Sequence, residues 1–295
     1  MKIINFGSIN IDHVYNVEHF VRPGETLKSE SYTIFSGGKG ANQSISLAHA
    51  KAEVLHAGNI GQDGVWLKEK LQTSGVDTHL IKIVDEPTGH AVIQVNKDAQ
   101  NAIIIHGGAN QTFTDKEIET VLNSAQAGDF LLLQNEINAV KKVLQKSKNR
   151  ALTVVFNPAP MTETIKNYPL ELVDIFIINE VEGEALTEKN NPDEILSAMQ
   201  KLYQNSRIVL TLGKDGVIYG DKEQCIKLPA LKVKAIDTTG AGDTFIGYFL
   251  AELSRGSKIE QCLEMGIKAS ALCVTRRGAA DSIPKFNEVK EKQWQ

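Results

Sequence analysis

The run Phe130-Leu131-Leu132-Leu133-Gln134 is apolar at successive positions rather than alternate ones. Three more short apolar runs follow, at residues 152–157, 175–179 and 207–212, with helical segments near 139–148, 181–186 and 193–203 between them. A strand with one face in water alternates polar and apolar residues, whereas a strand buried on both faces does not. Blunt strands separated by helices therefore predict a parallel sheet covered on both sides. The start of the chain repeats the rhythm, with strands at 2–7 and 53–60 and helices at 41–50 and 65–74. The fold expected is α/β, a doubly wound and mostly parallel sheet flanked by helices, in one domain spanning residues 1–295.

Two regions break that rhythm. Residues 11–16, 31–35, 91–96 and 101–106 read as strands with polar alternation, and Lys97-Asp98-Ala99-Gln100 joins the last two as a hairpin loop. They predict a small second β-sheet, built from about 11–36 and 89–107, lying as a lid over the site. An exposed face on that sheet predicts a homodimer formed through the lid.

Of the 295 residues, 42% are hydrophobic and 23% charged, with a formal charge of −4 and both signs interspersed. No basic patch argues for nucleic acid, and no polybasic run for an anionic membrane. No apolar stretch approaches a membrane span, and Met1-Lys2-Ile3-Ile4-Asn5-Phe6-Gly7 is broken too soon for a signal peptide. A cytoplasmic protein acting on small molecules is expected. Cys225, Cys262 and Cys273 are odd in number, widely spaced and without a CxxC pair, as reduced thiols are.

The chemistry concentrates at Asp237-Thr238-Thr239-Gly240-Ala241-Gly242-Asp243, which opens a long helix predicted over 241–254. The first N–H groups of a helix lack intrahelical partners, and the helix dipole favours negative charge there, so such an end is a ready anion site. Asp243 in the first turn would repel an anion, unless its task is to take a proton from a nucleophile attacking that anion. The combination points to phosphoryl transfer onto a hydroxyl. The plainer reading is a tight turn with an acidic residue compensating the dipole.

A second glycine-rich run, Ser36-Gly37-Gly38-Lys39-Gly40-Ala41-Asn42, also opens a helix. It is not a Walker A loop, which places four residues between its glycines before Lys-Ser/Thr. Its glycines let a ligand approach the backbone, and Lys39 with Asn42 suits a polyhydroxylated ligand. Polar residues also follow the strands: Asn10 and Asp12, Glu136, Asn157 and Asn179. Ligands collect beyond the carboxyl ends of strands in such sheets. Asn and Asp are also common caps and turn residues, which suits Asn157, whereas Glu136 is a poor cap and a poor turn residue.

The runs at 37–42 and 237–243 together form a signature pair that resembles the PfkB sugar-kinase family, most closely its members that phosphorylate D-ribose. Gly7-Ser8-Ile9-Asn10-Ile11-Asp12, Pro23-Gly24-Glu25-Thr26, His106-Gly107-Gly108-Ala109-Asn110, Asn157-Pro158-Ala159-Pro160, Asn179-Glu180-Val181-Glu182 and Val274-Thr275-Arg276-Arg277-Gly278-Ala279 fit the same pattern in order. The resemblance runs from the first strand to about Pro284. It implies ATP-dependent phosphorylation of D-ribose at its 5-hydroxyl. Asp243 would be the general base, and the Gly240-Ala241-Gly242 turn would supply the anion hole. Asn10, Asp12, Gly38, Lys39, Asn42 and Glu136 would hold the sugar, with Asp243 at the reacting hydroxyl. Thr211-Leu212-Gly213-Lys214-Asp215-Gly216 would lie along the nucleotide, with Asn179 and Gly242. Asn179 and Glu182 would act on Mg²⁺ indirectly, through water. A K⁺ site beside the anion hole is implied at Asp237, the carbonyls of Thr239, Cys273, Arg276 and Gly278, and the Ser282 hydroxyl. The plainer reading of Arg276-Arg277-Gly278 is a basic helix C-cap with glycine at its end.

Two positions depart from the family pattern. Ala50-Lys51-Ala52 stands where glycine is usual, and Ile267 stands where a polar residue near the adenine is frequent. The alternative within the class is a kinase for another sugar or a nucleoside, such as 2-deoxyribose or fructose. A non-catalytic sugar-binding regulator would be expected to lose Asp243 or the Gly240-Ala241-Gly242 turn. A dinucleotide-dependent oxidoreductase would need G-x-G-x-x-G after the first strand, where this chain has Gly7-Ser8-Ile9-Asn10.

Overall fold

A computed structural model describes residues 1–98 and 100–294 of the chain. In order, the first half comprises β1 (Ile3–Phe6), β2 (Asn10–Asn16), β3 (Ser31–Gly37), α1 (Lys39–His49), β4 (Val54–Ile60), α2 (Val65–Thr73), β5 (Asp77–Ile83), β6 (Gly89–Val95), β7 (Asn101–His106) and α3 (Asp115–Asn123). The second comprises β8 (Phe130–Gln134), α4 (Val140–Ser147), β9 (Thr153–Asn157), β10 (Ile175–Asn179), α5 (Glu180–Thr187), α6 (Pro192–Leu202), β11 (Arg207–Thr211), β12 (Val217–Gly220), β13 (Cys225–Leu228), α7 (Ala241–Ser254), α8 (Ile259–Cys273) and α9 (Phe286–Glu291).

Nine strands form one sheet in the order β13-β12-β11-β10-β9-β8-β1-β4-β5. It is parallel from β11 to β5, and β12 and β13 add an antiparallel edge. Every residue of β1 and β8 is buried, as their non-alternating sequences require. Ile3, Leu132, Val155 and Val209 face one apolar layer with α1, α2, α7 and α8, while Ile4, Leu131, Val154 and Ile208 face another with α3, α4 and α6. Each such side chain contributes about 1.5–3 kcal/mol on burial. The doubly wound sheet expected from the sequence is thus present. Elements not anticipated are β5, the edge hairpin β12–β13, and helices α3, α8 and α9. The basic run 276–278 is not a helix C-cap, because α8 ends at Cys273 and is capped by Val274.

The chain winds from β1 outward through β4 to β5, then restarts at β8 and winds the other way to β11. The reversal lies between β1 and β8, the crevice where α/β sheets bind ligands. Helices α1 and α7 both begin there. Asn42 meets Asp243 and Ser46 meets Thr244, so the two helices run side by side in the same direction. Gly247 permits this approach: a Cβ at that position would overlap Ser46 and come within 2.8 Å of the Leu47 nitrogen.

The other four strands form a separate sheet, β3-β2-β6-β7, as expected. Cross-strand register puts Ile34, His13, Val92 and Ile104 in one row. Ile104 is 70% exposed, and Tyr32, Ile34, Ile103 and Ile105 are also exposed. The hairpin loop expected at 97–100 includes Ala99, which lies outside the described residues. Among the described residues, no helix is long and apolar enough to cross a membrane.

Candidate active site

At the crevice, α7 starts from Gly240 in the left-handed region at φ 76°, which glycine adopts without a steric penalty. Asp243 sits in its first turn, 8% exposed. Asn42 Nδ2 donates to its Oδ2 at 3.0 Å, and Gln43 Nε2 donates to its Oδ1 at 2.9 Å. The turn already engages the Ala241 N–H, which donates to the Thr238 carbonyl at 3.2 Å.

The start of α1 is satisfied differently. Gly38 is its N-cap, at φ 90°. Lys39 N donates to Glu136 Oε2 at 2.9 Å, Gly40 N to Ser8 Oγ at 3.2 Å, and Ala41 N to the Ser8 carbonyl at 2.9 Å. The Ser8 hydroxyl also donates to Glu136 Oε2. Glu136, which its sequence position marked as neither cap nor turn residue, thus completes the α1 N-terminus from another strand's end, where the dipole welcomes its charge.

Asn10 and Asp12 reach the site from β2. Asn10 Oδ1 accepts from Asn110 Nδ2 at 2.7 Å. Asp12 is pushed up to about 7 by burial first and by the nearby Glu136 charge second. Burial likewise raises Glu136, against the pull of Lys39. For Lys39, burial acts to lower the pKa, but Asp243, Glu136 and Glu182 together outweigh it and raise the ammonium above its ordinary value. A half-buried lysine beside three carboxylates is held charged.

Lys39, Asn179, Glu182, Gly240, Gly242 and Asp243 line a cavity of about 240 Å³. Glu182 and Asn179 form a capping box at the start of α5: Glu182 accepts from Asn179 N at 3.0 Å, and Glu182 N donates to Asn179 Oδ1 at 2.9 Å. Asn179 is therefore a cap and a cavity wall at once. Asn10, Asp12, Gly38, Asn42 and Glu136 are not among the residues lining this cavity, although Glu136 accepts from Lys39 N and Asn42 donates to Asp243.

A second cavity, about 620 Å³, adjoins the first and shares Thr211, Thr238 and Gly242 with it. Its wall is apolar at Leu231, Val233, Phe245, Ile267 and Val274, with Gly213, Lys214 and Gly216 at its edge. This volume is ordinary for a cofactor site. The run 211–216 splits here: Leu212 and Asp215 face a different hollow with Asn191 and Lys227. Ile267 lies in the large cavity, as its sequence position suggested.

Behind the anion turn, Asp237 Oδ1 accepts from Thr239 N at 2.9 Å, and Oδ2 accepts from Gly278 N at 2.9 Å. Burial acts to raise the Asp237 pKa, but its bonds from Thr239 and Gly278 outweigh this and lower it. Cys273 Sγ lies 3.0 Å from Ser282 Oγ and 3.9 Å from the Thr239 carbonyl. Asp237, Thr239, Cys273, Gly278 and Ser282 therefore converge. The Arg276 side chain turns away to Glu288.

The sequence reading did not assign Ser8, Gln43, Asn110 or Gln134. Of these, Ser8 and Asn110 lay within the quoted motifs and Gln43 lay beside Asn42, whereas Gln134 only closed an apolar strand.

A helix N-terminus bearing a buried carboxylate, a charged lysine facing it and a deep apolar cavity alongside define a phosphotransferase that acts on a sugar hydroxyl. The profile of the pfkB family of carbohydrate kinases matches residues 1–286, and the chain belongs to that family. Among curated relatives it is similar to a ribokinase of Staphylococcus aureus, 37% identical over 98% of this chain and 99% of the relative. It is also similar to a deoxyribokinase of Salmonella typhi, 30% identical over 99% of this chain and 98% of the relative. Among solved structures it resembles a ribokinase of Cryptococcus neoformans in complex with ADP, with a TM-score of 0.87, 36% identity and coverage of 98% and 99%. A ribokinase of Arabidopsis thaliana complexed with ribose and ATP is similar too, with a TM-score of 0.88, 30% identity and coverage of 98% and 97%.

Proposed function

We propose that this chain transfers the γ-phosphate of ATP to the 5-hydroxyl of D-ribose, giving ribose 5-phosphate and ADP. The observation that carries the reading is the position of Asp243. It lies in the first turn of α7, in the same cavity as Lys39 and beside the larger apolar one. Asp243 takes the hydroxyl proton as the oxygen attacks phosphorus; the new O–P bond forms, and the bond to the ADP oxygen breaks with its electron pair. The Gly242 N–H and the α7 dipole stabilise the charge developing on the transferred group. Ala241 adds its N–H by sharing it with the long 3.2 Å bond to Thr238.

Asn10, Asp12, Gly38, Lys39, Asn42 and Glu136 hold the sugar. Asn42 Oδ1 is buried without a partner, which suits a hydroxyl donor. A site built from such acceptors rejects a sugar lacking a hydroxyl, because a buried group would be left unpaired. Thr211, Gly213, Lys214, Gly216 and Gly242 line the nucleotide path, with the base against Phe245 and Ile267.

The donors also fit the two cations of the reading. Glu182 and Asp243 share a cavity meant for phosphates, and carboxylates there require a compensating cation. Asn179 and Glu182 are tied to each other, so they would hold Mg²⁺ through water, the usual arrangement for an ion that enters with phosphates. Mg²⁺ supplies charge neutralisation on the phosphate oxygens. Asp237, the Thr239, Cys273, Arg276 and Gly278 carbonyls and the Ser282 hydroxyl form an oxygen-donor set for K⁺, whose binding would fix the turn ahead of Gly240. The exposed row through Ile34 and Ile104 is the surface through which the second sheet would pair two copies.

2-Deoxyribose is the second reading, favoured by the deoxyribokinase relative. A coupled kinase assay across ribose, 2-deoxyribose, fructose and nucleosides, with and without K⁺, tests both. Highest kcat/KM on ribose supports the proposal; preference for any other acceptor overturns it.

A further inference from the structure

We propose that Gln43 is a positioning residue for Asp243, held in a single orientation by Asn5, Gln134 and Asn157. The proposal rests on the reading of Asp243 as the base.

Gln43 is fully buried, in a patch of buried polar side chains that includes Asn5, Gln134, Asn157 and Asp243. Its amide could point either way, and two backbone carbonyls decide. A carbonyl only accepts. Asn5 Nδ2 donates to the Gly40 carbonyl at 2.7 Å, so Asn5 Oδ1 must accept, and it does so from Gln134 Nε2 at 2.9 Å. The same Gln134 nitrogen donates to Gln43 Oε1 at 2.6 Å. From the other side, Asn157 Nδ2 donates to the Ile177 carbonyl at 3.0 Å, which leaves Asn157 Oδ1 facing Gln43 Nε2 at 3.3 Å. Both chains force the Gln43 NH₂ toward Asp243 Oδ1.

The consequence is chemical. Asp243 meets one fixed donor per oxygen, Asn42 on Oδ2 and Gln43 on Oδ1. Asn42 also belongs to the proposed sugar site, whereas Gln43 lines neither of the two cavities. Donors facing a carboxylate fix the direction of its free lone pairs, which a general base requires. The charged groups around Asp243 are Lys39, Glu136 and Glu182, with the Cys273 thiol nearby. Both polar atoms of the Gln43 amide are satisfied, its oxygen by Gln134 and its nitrogen by Asp243 and Asn157, so the orientation is held from both ends.

The test is Gln43→Met, nearly equal in volume and without the donor. The expected result is a kcat lower on the order of 10- to 100-fold. KM for sugar and for nucleotide should stay within about threefold of the parent, a split between kcat and KM that a general loss of folding would not give. Gln134→Met frees the Gln43 amide to rotate and should act in the same direction, more weakly; it serves if Gln43→Met does not fold. An unchanged kcat in the folded variant overturns the proposal. Asp243→Asn is measured alongside: near-normal kcat there removes the base reading itself. If Asp243→Asn is inactive while Gln43→Met is neutral, only the positioning role fails. Gln43→Met added to Asp243→Asn should cost nothing further, and an undiminished loss overturns the coupling.

Discussion

Asn42 Nδ2 donates to Asp243 Oδ2 at 3.0 Å across 201 residues of chain. This bond joins the first glycine-rich helix start to the second, and it ties a residue of the proposed sugar site to the proposed base. Asp243→Asn keeps the shape of the site and removes the proton acceptor. It should lower kcat by a factor on the order of 10² or more. Ribose and ATP affinities, measured by calorimetry, should stay close to those of the parent; a near-normal kcat would displace Asp243 from its role.

Asp12 predicts a pH effect with a definite sign. Its carboxyl is raised from 3.8 to about 7, through burial and then Glu136. Between those values the folded protein keeps a proton that the unfolded chain releases, so the stability of the unliganded fold should fall as pH rises through that window. Sugar binding needs the acceptor form, so KM for ribose should fall toward pH 8. Asp12→Asn should raise Tm at pH 8, flatten its pH dependence and raise KM for ribose far more than for ATP. Equal effects on both substrates would place Asp12 outside the sugar site.

The cation reading predicts that activity in Na⁺ buffer rises when K⁺ is added. Asp237→Asn should abolish that response. It also removes a charge that accepts from Thr239 and Gly278, so the variant should melt at a lower temperature. A parent enzyme indifferent to K⁺ would refute the site.

Gly247→Ala probes the approach of α1 to α7. The added methyl meets Ser46 and the Leu47 backbone, and the two helices must separate. Overpacking of this kind costs about 1–3 kcal/mol, read as a shift of the denaturation midpoint. Because the same approach sets the Asn42–Asp243 bond, kcat should fall with it while the nucleotide KM holds. Restored activity in Gly247→Ala with Ser46→Gly would trace the effect to this contact.

Pairing through the second sheet predicts that Ile34→Asp with Ile104→Asp shifts the particle from dimer to monomer in light scattering. A parent that is monomeric at micromolar concentration would refute the pairing.

Much of the fold was legible because burial on both faces leaves a mark on the strand itself: Phe130–Gln134 and Ile175–Asn179 lie within one residue type's choice of alternation. The edge strands β12 and β13 left a weaker mark, since β13 is half exposed and its partner only four residues long. Helix α3 announced itself through the Thr114–Glu117 capping box, a signal too short to weigh against its polar surroundings. At the site, the glycine turns and Asp243 were legible because helix starts and anion chemistry impose local residue choices. Leu212 and Asp215 were grouped with their neighbours along the chain, and the fold sends them to another hollow.

By itself the sequence determined the alternation of strand and helix, the two glycine-rich helix starts and the carboxylate in one of them, since these depend on contacts within a few residues. Only the tertiary structure decided that Glu136 completes α1, that Asp12 lies half-buried near its charge, and that Gln43 faces Asp243 with its donor. Those outcomes depend on which groups meet across the crevice after burial has stripped them of water. There, a hydrogen bond's direction is set by partners more than a hundred residues away, and no local pattern records it.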